Sequence, residues 1–197
     1  MSNSALFKII NSWAGQNQWL DQFMVFSAEW LGYFLILLLL TPLLLTFFIR
    51  NNRISSWARF ALLKWTYYRE MLVVSLAAAI ISRLIFTEAI RFFYYNPRPF
   101  LVLENVNQLI EHETTGSLPS GHASFYFALA TGVFLYNKKA GYAYFALAGL
   151  MGFARIFCGV HWPLDIVAGA VLGTATAVIF YLVNQARTKL RPANSPS

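Results

Sequence analysis

Residues 30–49 read WLGYFLILLLLTPLLLTFFI and include no charged side chain. An α-helix rises about 1.5 Å per residue and a bilayer core is roughly 30 Å thick, so about 20 apolar residues are needed to cross it. This run predicts a transmembrane helix. The whole chain agrees, because 58% of its 197 residues are hydrophobic and only 12% are charged. This composition excludes a water-soluble globule and a disordered chain, and favours an integral membrane protein.

Four further apolar runs extend this prediction, and they cover residues 71–90, 123–137, 140–154 and 166–183. Before the first span, residues 4–20 mix apolar and aromatic side chains with asparagine and glutamine. That mixture indicates an amphipathic helix in the membrane interface, or a sixth inserted segment. The predicted fold class is an all-α integral membrane protein, a bundle of about five transmembrane helices plus the N-terminal amphipathic helix. No repeat or linker divides the sequence, so we expect residues 1–197 to form a single membrane-embedded domain.

Basic residues predict the orientation of the bundle. Ten of the 15 lysines and arginines fall at one end of the predicted spans, namely Arg50, Arg53, Arg59, Lys64, Arg69, Lys138, Lys139, Arg187, Lys189 and Arg191. The positive-inside rule makes that end cytoplasmic, together with the C-terminus, and places segments 91–122 and 155–165 outside. The net charge of +7 would suggest nucleic-acid binding in a soluble protein. Here it is explained by membrane topology, so we expect no nucleic-acid partner.

The outer segments carry three motifs whose residue types suit a phosphate group. The motifs are Arg91-x6-Arg98-Pro99, Pro119-Ser120-Gly121-His122 and Arg155-x5-His161-x3-Asp165. Arginine offers a planar set of donors that fits phosphate oxygens, and it stays charged at physiological pH. The backbone N–H groups of Ser120 and Gly121 stand at a predicted helix start, where phosphate also binds well. Three arginines together favour a multiply charged anion.

The third motif also predicts a nucleophile. Pro163 suits a first helical turn, which puts Asp165 four residues beyond His161 and within reach on one face. A carboxylate there would hold the imidazole in one tautomer and stabilise its cation. A lone His-x3-Asp is more typical of a helix cap. However, the three motifs share one predicted membrane face and together supply a nucleophile, an acid, an orienting carboxylate and an anion clamp.

A zinc site is the chemical rival, because histidine and aspartate are both zinc ligands. The chain has only three histidines, and three nearby arginines would repel a cation, so we expect no metal and no cofactor.

Arg83 and Glu88 stand inside the second apolar run. Charged side chains at that depth are costly and are usually functional. Arg83 therefore has a functional role, snorkels to the outer headgroups or forms a structural ion pair with Glu88, and Glu88 either forms that pair or faces the outer pocket.

The three motifs resemble the signature of the type 2 phosphatidic acid phosphatase superfamily, which reads Lys-x6-Arg-Pro, then Pro-Ser-Gly-His, then Ser-Arg-x5-His-x3-Asp. The spacing agrees throughout, and the resemblance covers roughly residues 85–185. Two positions depart from the pattern, since Arg91 replaces a lysine and Ala154 replaces a serine. The first change keeps the charge, whereas the second removes a hydroxyl.

The resemblance implies a metal-independent phosphatase that forms a covalent phosphohistidine. In that mechanism His161 attacks phosphorus, Asp165 orients it, and His122 protonates the leaving oxygen. The phosphoryl oxygens are bound by the side chains of Arg91, Arg98 and Arg155 and by the backbone of Ser120 and Gly121.

The outer position of the motifs within an apolar bundle predicts a lipid phosphate as substrate. The run Gly-Val-His-Trp-Pro-Leu-Asp, residues 159–165, resembles the bacterial bacitracin-resistance branch of the superfamily. That branch hydrolyses undecaprenyl diphosphate to the monophosphate at the outer face of the plasma membrane, during carrier recycling for cell-wall synthesis. Phosphatidylglycerophosphate or phosphatidate phosphatase is the near alternative, and a non-enzymatic lipid transporter or binding protein is the alternative of another class.

Residues 100–119 separate the first two motifs and include Glu104, Glu111, His112 and Glu113. We expect this segment to form a lid that selects the substrate.

Overall fold

The computed structural model describes residues 2–51 and 55–190, and within these ranges it contains helices and no strand. The helices are α1 Asn3–Asn11, α2 Gln18–Glu29, α3 Leu31–Asn51, α4 Ser55–Ile81, α5 Glu88–Phe93, α6 Pro99–Val102, α7 Gly121–Tyr136, α8 Lys138–Phe157 and α9 Pro163–Leu190. A π-helical segment, Ser82–Thr87, joins α4 to α5. The predicted all-α fold is confirmed.

Three helical stretches in the described part of the chain are long and apolar enough to cross a membrane, and they are Tyr67–Phe93, α8 and α9. Helix α2 and the first part of α3 add a fourth if they count as one span, although they are bent by 51° relative to each other. Helix α7 has only 16 residues. All five predicted spans nevertheless lie within this helical framework, which supports a membrane protein.

The N-terminal prediction needs a correction. Residues 4–20 do not form one amphipathic helix, because α1 ends at Asn11 and α2 begins at Gln18. The chain turns between them at Gly15, whose φ of +80° favours glycine. Asn17 then caps α2, since its side chain accepts hydrogen bonds from the first-turn N–H groups.

The apolar face of helix α1 packs against α8, α9 and the connection between them. The Phe7 side chain is 1% exposed, and its ring centroid lies 5.2 Å from that of Trp162. Asn11 donates from Nδ2 to the Phe157 carbonyl at 2.8 Å and to the Asn107 carbonyl at 2.9 Å. The N-terminus, the segment after α6 and the α8–α9 connection therefore meet at one end of the bundle, and the sequence predicted this for the last two.

The opposite end carries the basic residues. Tyr67 donates to the Tyr136 carbonyl, and Asn184 donates from Nδ2 to the Tyr136 hydroxyl at 3.2 Å, so the start of the α4 span, the end of α7 and the end of α9 converge there. The basic residues next to this junction are Arg69, Lys138, Lys139, Arg187 and Lys189. Arg53, Arg191 and the rest of the tail lie outside the described residues, as do the side chains of Arg50, Arg59 and Lys64.

Helix α7 lies at the centre of the bundle and packs against α4, α8 and α9. Glycines permit the closest approach, as expected for membrane helices. A Cβ atom added at Gly169 would lie 2.6 Å from the Ser120 carbonyl oxygen, and one added at Gly173 would lie 2.8 Å from the Ala128 nitrogen. At Gly149, by contrast, an added Cβ atom would have no neighbouring atom within 4 Å.

We expect Gly173→Ala to destabilise the protein by roughly 1–3 kcal/mol, because the added methyl group meets the backbone of α7, which cannot rotate away. Gly149→Ala is the matched control. It should leave the melting temperature unchanged or raise it, because its Cβ enters open space and alanine favours the helix by about 1 kcal/mol. Thermal unfolding in one detergent compares the two, and a Gly173→Ala variant as stable as Gly149→Ala would contradict the packing described here.

Candidate active site

Arg98 is fully buried at the end of the bundle where the three motifs meet. It stands between Pro97 and Pro99, in extended backbone that leads into α6, as is usual before a proline. Its guanidinium donates from Nε to the Thr115 carbonyl at 3.1 Å and from Nη1 to the Val160 carbonyl at 2.9 Å. The same Nη1 donates to His161 Nε2 at 3.2 Å. Because an arginine never accepts, Nε2 must carry the lone pair.

Asp165 fixes the other side of the imidazole. His161 Nδ1 lies 3.2 Å from Asp165 Oδ2, so Nδ1 carries the proton and donates it. The same carboxylate oxygen accepts from the Trp162 backbone N–H at 2.8 Å. Helix α9 begins at Pro163, and its first turn therefore brings the two side chains together. The result is a single tautomer with a free electron pair on Nε2.

Two residues that the sequence did not predict complete the surroundings of the carboxylate. Ser117 donates from Oγ to Asp165 Oδ1 at 3.4 Å, and Asn96 donates from Nδ2 to the same oxygen at 3.5 Å. The Ser120 backbone N–H also donates to the Asp165 carbonyl at 3.0 Å. The Ser120 bond connects the second motif to the third, and the Asn96 bond connects the first motif to the third. Asn96 lies inside the first motif, whereas Ser117 has no sequence signal of its own.

The electrostatic surroundings keep His161 neutral. Burial lowers its pKa well below the usual value, and the nearby charges of Arg155 and Arg98 lower it further. The pKa of Arg98 is itself lowered to about 10, by burial first and then by Arg91 and Arg155. Arg98 therefore remains charged at neutral pH while His161 is an uncharged base.

In the part of the chain that the structure describes, Arg91 and Arg155 hold three of the four buried side-chain polar atoms that lack a hydrogen-bond partner. Among the described residues, four buried side-chain atoms lack a hydrogen-bond partner: Ser75 Oγ, Arg91 Nε, Arg155 Nε and Arg155 Nη2. An unpaired buried donor costs about 1–3 kcal/mol and is rare in folded proteins. Arg91 uses Nη2 to reach the Pro119 carbonyl at 2.9 Å, which holds it beside the second motif. The two arginines thus offer N–H groups that a multiply charged oxyanion would satisfy.

The second motif forms the start of α7, with Ser120 as its cap. The Gly121 backbone is covered by the Arg83 side chain, since an added Cβ would lie 2.6 Å from Arg83 Cδ. The His122 ring stacks on Tyr126 with centroids 6.4 Å apart. His122 lines a cavity of about 170 Å³. Among the described residues, it makes no hydrogen bond to His161 or Asp165.

His112 lies against His161, a contact that the sequence did not predict. The two ring centroids are 5.9 Å apart and the rings meet edge to face at 79°. Burial lowers the pKa of His112 to about 4, and the charges of Arg98 and Arg155 add to the effect. The predicted lid segment is thus a wall of the site, because Arg98 bonds its Thr115 carbonyl and Leu109 donates to the Cys158 carbonyl at 3.2 Å.

This combination of a buried His–Asp pair, unpaired arginine donors and an apolar helical bundle is typical of a membrane-embedded enzyme that acts on phosphate esters or anhydrides. The chain belongs to the PAP2 superfamily, whose family model matches residues 72–189. The resemblance predicted from the motifs is confirmed, and the protein is a hydrolase of the lipid-phosphatase type.

Similar proteins agree with this placement. The chain is 32% identical over 179 residues to the bacitracin transport permease protein BcrC of Bacillus licheniformis, covering 91% of this chain and 79% of that one. It is 29% identical over 181 residues to the undecaprenyl-diphosphatase BcrC of Bacillus subtilis, covering 91% and 82%. It also resembles the crystal structure of Aquifex aeolicus LpxE, with a TM-score of 0.67 and 29% identity over 91% of this chain and 94% of that chain.

The environment of His112 predicts a pH-dependent stability. Its folded pKa of about 4 lies below the ordinary value of 6.5, so the unfolded chain binds more protons between these limits. The free energy of unfolding should therefore fall as the pH is lowered through this window. His112→Gln removes this contribution. We expect its melting temperature to fall less than that of the wild type between about pH 7 and about pH 5.

Lys139→Gln is the control for this comparison, because it changes an exposed residue outside the site. It should follow the wild-type pH profile. Identical profiles for the wild type and His112→Gln would contradict the uncharged state of the half-buried His112.

Proposed function

We propose that the protein hydrolyses undecaprenyl diphosphate to undecaprenyl phosphate and inorganic phosphate, with His161 as nucleophile. The observation that carries this proposal is the position of the His161 imidazole. Its Nδ1–H is held by Asp165, and its Nε2 electron pair is aimed at Arg98, beside arginine donors that lack partners. The choice of substrate is supported by the Bacillus subtilis relative, which is named an undecaprenyl-diphosphatase.

In the first step, the terminal phosphate binds to Arg91, Arg98 and Arg155 and to the N–H groups at the start of α7. Phosphate oxygens are stronger acceptors than a neutral imidazole, so the Arg98 Nη1 bond to Nε2 is exchanged for a bond to phosphate. Nε2 is then free to attack phosphorus. The N–P bond forms as the bond from phosphorus to the bridging oxygen breaks, and Asp165 stabilises the imidazole as it becomes positively charged.

The leaving group takes the electron pair of the broken bond, and His122 supplies a proton to the departing oxygen. In the second step, His122 takes a proton from water as the water oxygen attacks the phosphohistidine. The N–P bond breaks, inorganic phosphate is released, and His161 returns to its neutral form.

The outer surface near the site suits a substrate whose chain stays in the bilayer. Phe92 and Phe93, directly after Arg91, are 83% and 85% exposed, and Tyr94 and Tyr95 continue this apolar and aromatic surface. Aromatic side chains of this kind favour the membrane interface. We propose that the site opens at the outer face of a bacterial plasma membrane, with the basic end and the C-terminus in the cytoplasm.

A transporter is the alternative of another class, and the Bacillus licheniformis relative carries the name of a transport permease. Binding a lipid phosphate requires the arginines, but it does not require the His161–Asp165 pair. The ordered imidazole therefore favours hydrolysis.

The decisive test is phosphate release by the purified protein and its His161→Ala variant. We expect the variant to lose activity by at least about a thousandfold, the effect of removing a nucleophile, while it still binds the lipid. Lys139→Ala, at the opposite end of the bundle, is the control and should keep full activity. A His161→Ala protein that still releases phosphate would exclude the proposed mechanism.

The same assay identifies the substrate. Undecaprenyl diphosphate should give a higher kcat/KM than phosphatidylglycerophosphate or phosphatidate, and EDTA should not reduce it. A higher kcat/KM for phosphatidylglycerophosphate or for phosphatidate would identify that lipid as the substrate and would contradict the proposal. Loss of activity in EDTA that Mg²⁺ or Zn²⁺ restores would favour the metal alternative.

Sidedness can be measured with a membrane-impermeant maleimide in intact cells. We expect Glu113→Cys to be labelled from outside and Lys139→Cys only after lysis, because the two exposed positions lie at opposite ends of the bundle. The native Cys158 should stay unlabelled in both, since the thiol is buried and burial raises its pKa to about 12. Labelling in the reverse order would invert the proposed topology.

A further inference from the structure

Arg83 stands on the π-helical segment Ser82–Thr87, outside the three motifs. A π-turn aligns residues five apart, and single π-turns often occur at functional sites. On one side of this segment, Ser82 and Thr87 contact the Ser124 hydroxyl of α7 at 2.5 and 3.1 Å. These two buried contacts fix the segment against α7. The position of Arg83 relative to the second motif is therefore set by the fold.

The same spacing pairs Arg83 with Glu88. Arg83 Nη1 donates to Glu88 Oε1, and Arg91 Nη1 donates to the same oxygen at 3.4 Å. Two arginines thus share one carboxylate, which leaves a surplus positive charge. The Arg83 and Glu88 side chains are 34% and 49% exposed, whereas the Arg91 side chain is 10% exposed. The surplus positive charge therefore extends from Arg91, which is nearly buried, to Arg83, which is closer to the surface.

The cavity of about 170 Å³ beside the second motif contains both Arg83 and His122. Its remaining lining residues are Gly121, Phe125 and Tyr126. The Arg83 side chain lies directly over the Gly121 backbone, where a Cβ atom would lie 2.7 Å from Arg83 Cζ. Arg83 is thus the charged side chain of a small pocket that His122 also faces.

The reaction determines which group enters this pocket. In a displacement at phosphorus, the leaving oxygen lies roughly opposite the attacking atom, and here it must reach His122. For a diphosphate substrate, that oxygen belongs to the inner phosphate, which remains negatively charged as it leaves. For a phosphatidate-type substrate, it belongs to an alcohol, which carries no charge after protonation. A cation beside His122 therefore helps the first substrate and not the second.

From this geometry we infer that Arg83, with Gly121 and His122, forms a second phosphate subsite, which binds the inner phosphate of a diphosphate lipid. The inference rests on the proposed function and adds to it the residue that distinguishes a diphosphate from a monophosphate. Glu88 holds Arg83 in place in the free enzyme and shares it with the substrate.

The test compares kcat/KM for undecaprenyl diphosphate and for phosphatidate in the full-length protein. We expect Arg83→Gln to lower the value for the diphosphate by about tenfold or more, the effect of losing one charge-assisted contact, and to change the value for phosphatidate by less than about threefold. Arg83→Lys keeps the charge and should recover part of the diphosphate activity. Arg69→Gln, the same change near the start of the Tyr67–Phe93 stretch, should affect neither substrate.

The Glu88→Gln variant distinguishes two roles for Arg83, namely a phosphate subsite and a purely structural ion pair with Glu88. If Arg83 served only to pair with Glu88, both variants would lose activity alike on both substrates, and the inference would be wrong. If the subsite is correct, Glu88→Gln frees Arg83 and keeps the preference for the diphosphate. Equal losses on the two substrates in Arg83→Gln would overturn the subsite and leave the proposed function intact. Wild-type protein that hydrolyses phosphatidate alone would overturn the proposed substrate and the subsite together.

Discussion

The burial of Arg98 is the constraint on which the site depends. A guanidinium without solvent is stable only if its N–H groups find acceptors, since an isolated buried charge is very costly. Here the acceptors are backbone carbonyls of two loops, at Thr115, Gly116 and Val160, and the Nε2 of His161. Arg98 therefore fixes the path of both loops. It also holds His161, the proposed nucleophile, with Nε2 as an acceptor, so the structural role of Arg98 and its proposed chemical role depend on the same contacts.

Local spacing explains which parts of the site could be predicted from sequence. The His161–Asp165 contact follows from a four-residue separation at a helix start, and the charged motifs have fixed internal spacing. The contacts of Ser117 and His112 arise only when residues 103–120 pack against the α8–α9 connection. That packing depends on Gly159, whose φ of +83° turns the chain after α8. No local pattern encodes such a tertiary contact.

The same distinction applies to the fold. The length of the five apolar runs predicted the membrane class and the helical state of these segments. Crossing a bilayer is a requirement that each segment must meet by itself, so it can be recognised locally. It did not predict that α1 and α2 are separate helices or that Ser82–Thr87 is π-helical. The π-segment is stabilised by contacts with Ser124 on another helix, and its effect is to pair Arg83 with Glu88. That pair is one of the alternatives that the sequence leaves open, and the widened turn explains why it forms.

Helix direction explains why this end of the bundle suits the proposed anion clamp. Helices α7 and α9 both begin here, so their positive dipole ends and free N–H groups face the same region. Helix α8 ends here and carries Arg155 in its last turn, where a cation is favoured by the negative dipole end. Ala154, beside it, is fully buried and offers no hydroxyl to that arginine. The unpaired Arg155 donors thus remain available, and a phosphate bound between the starts of α7 and α9 would be their strongest acceptor.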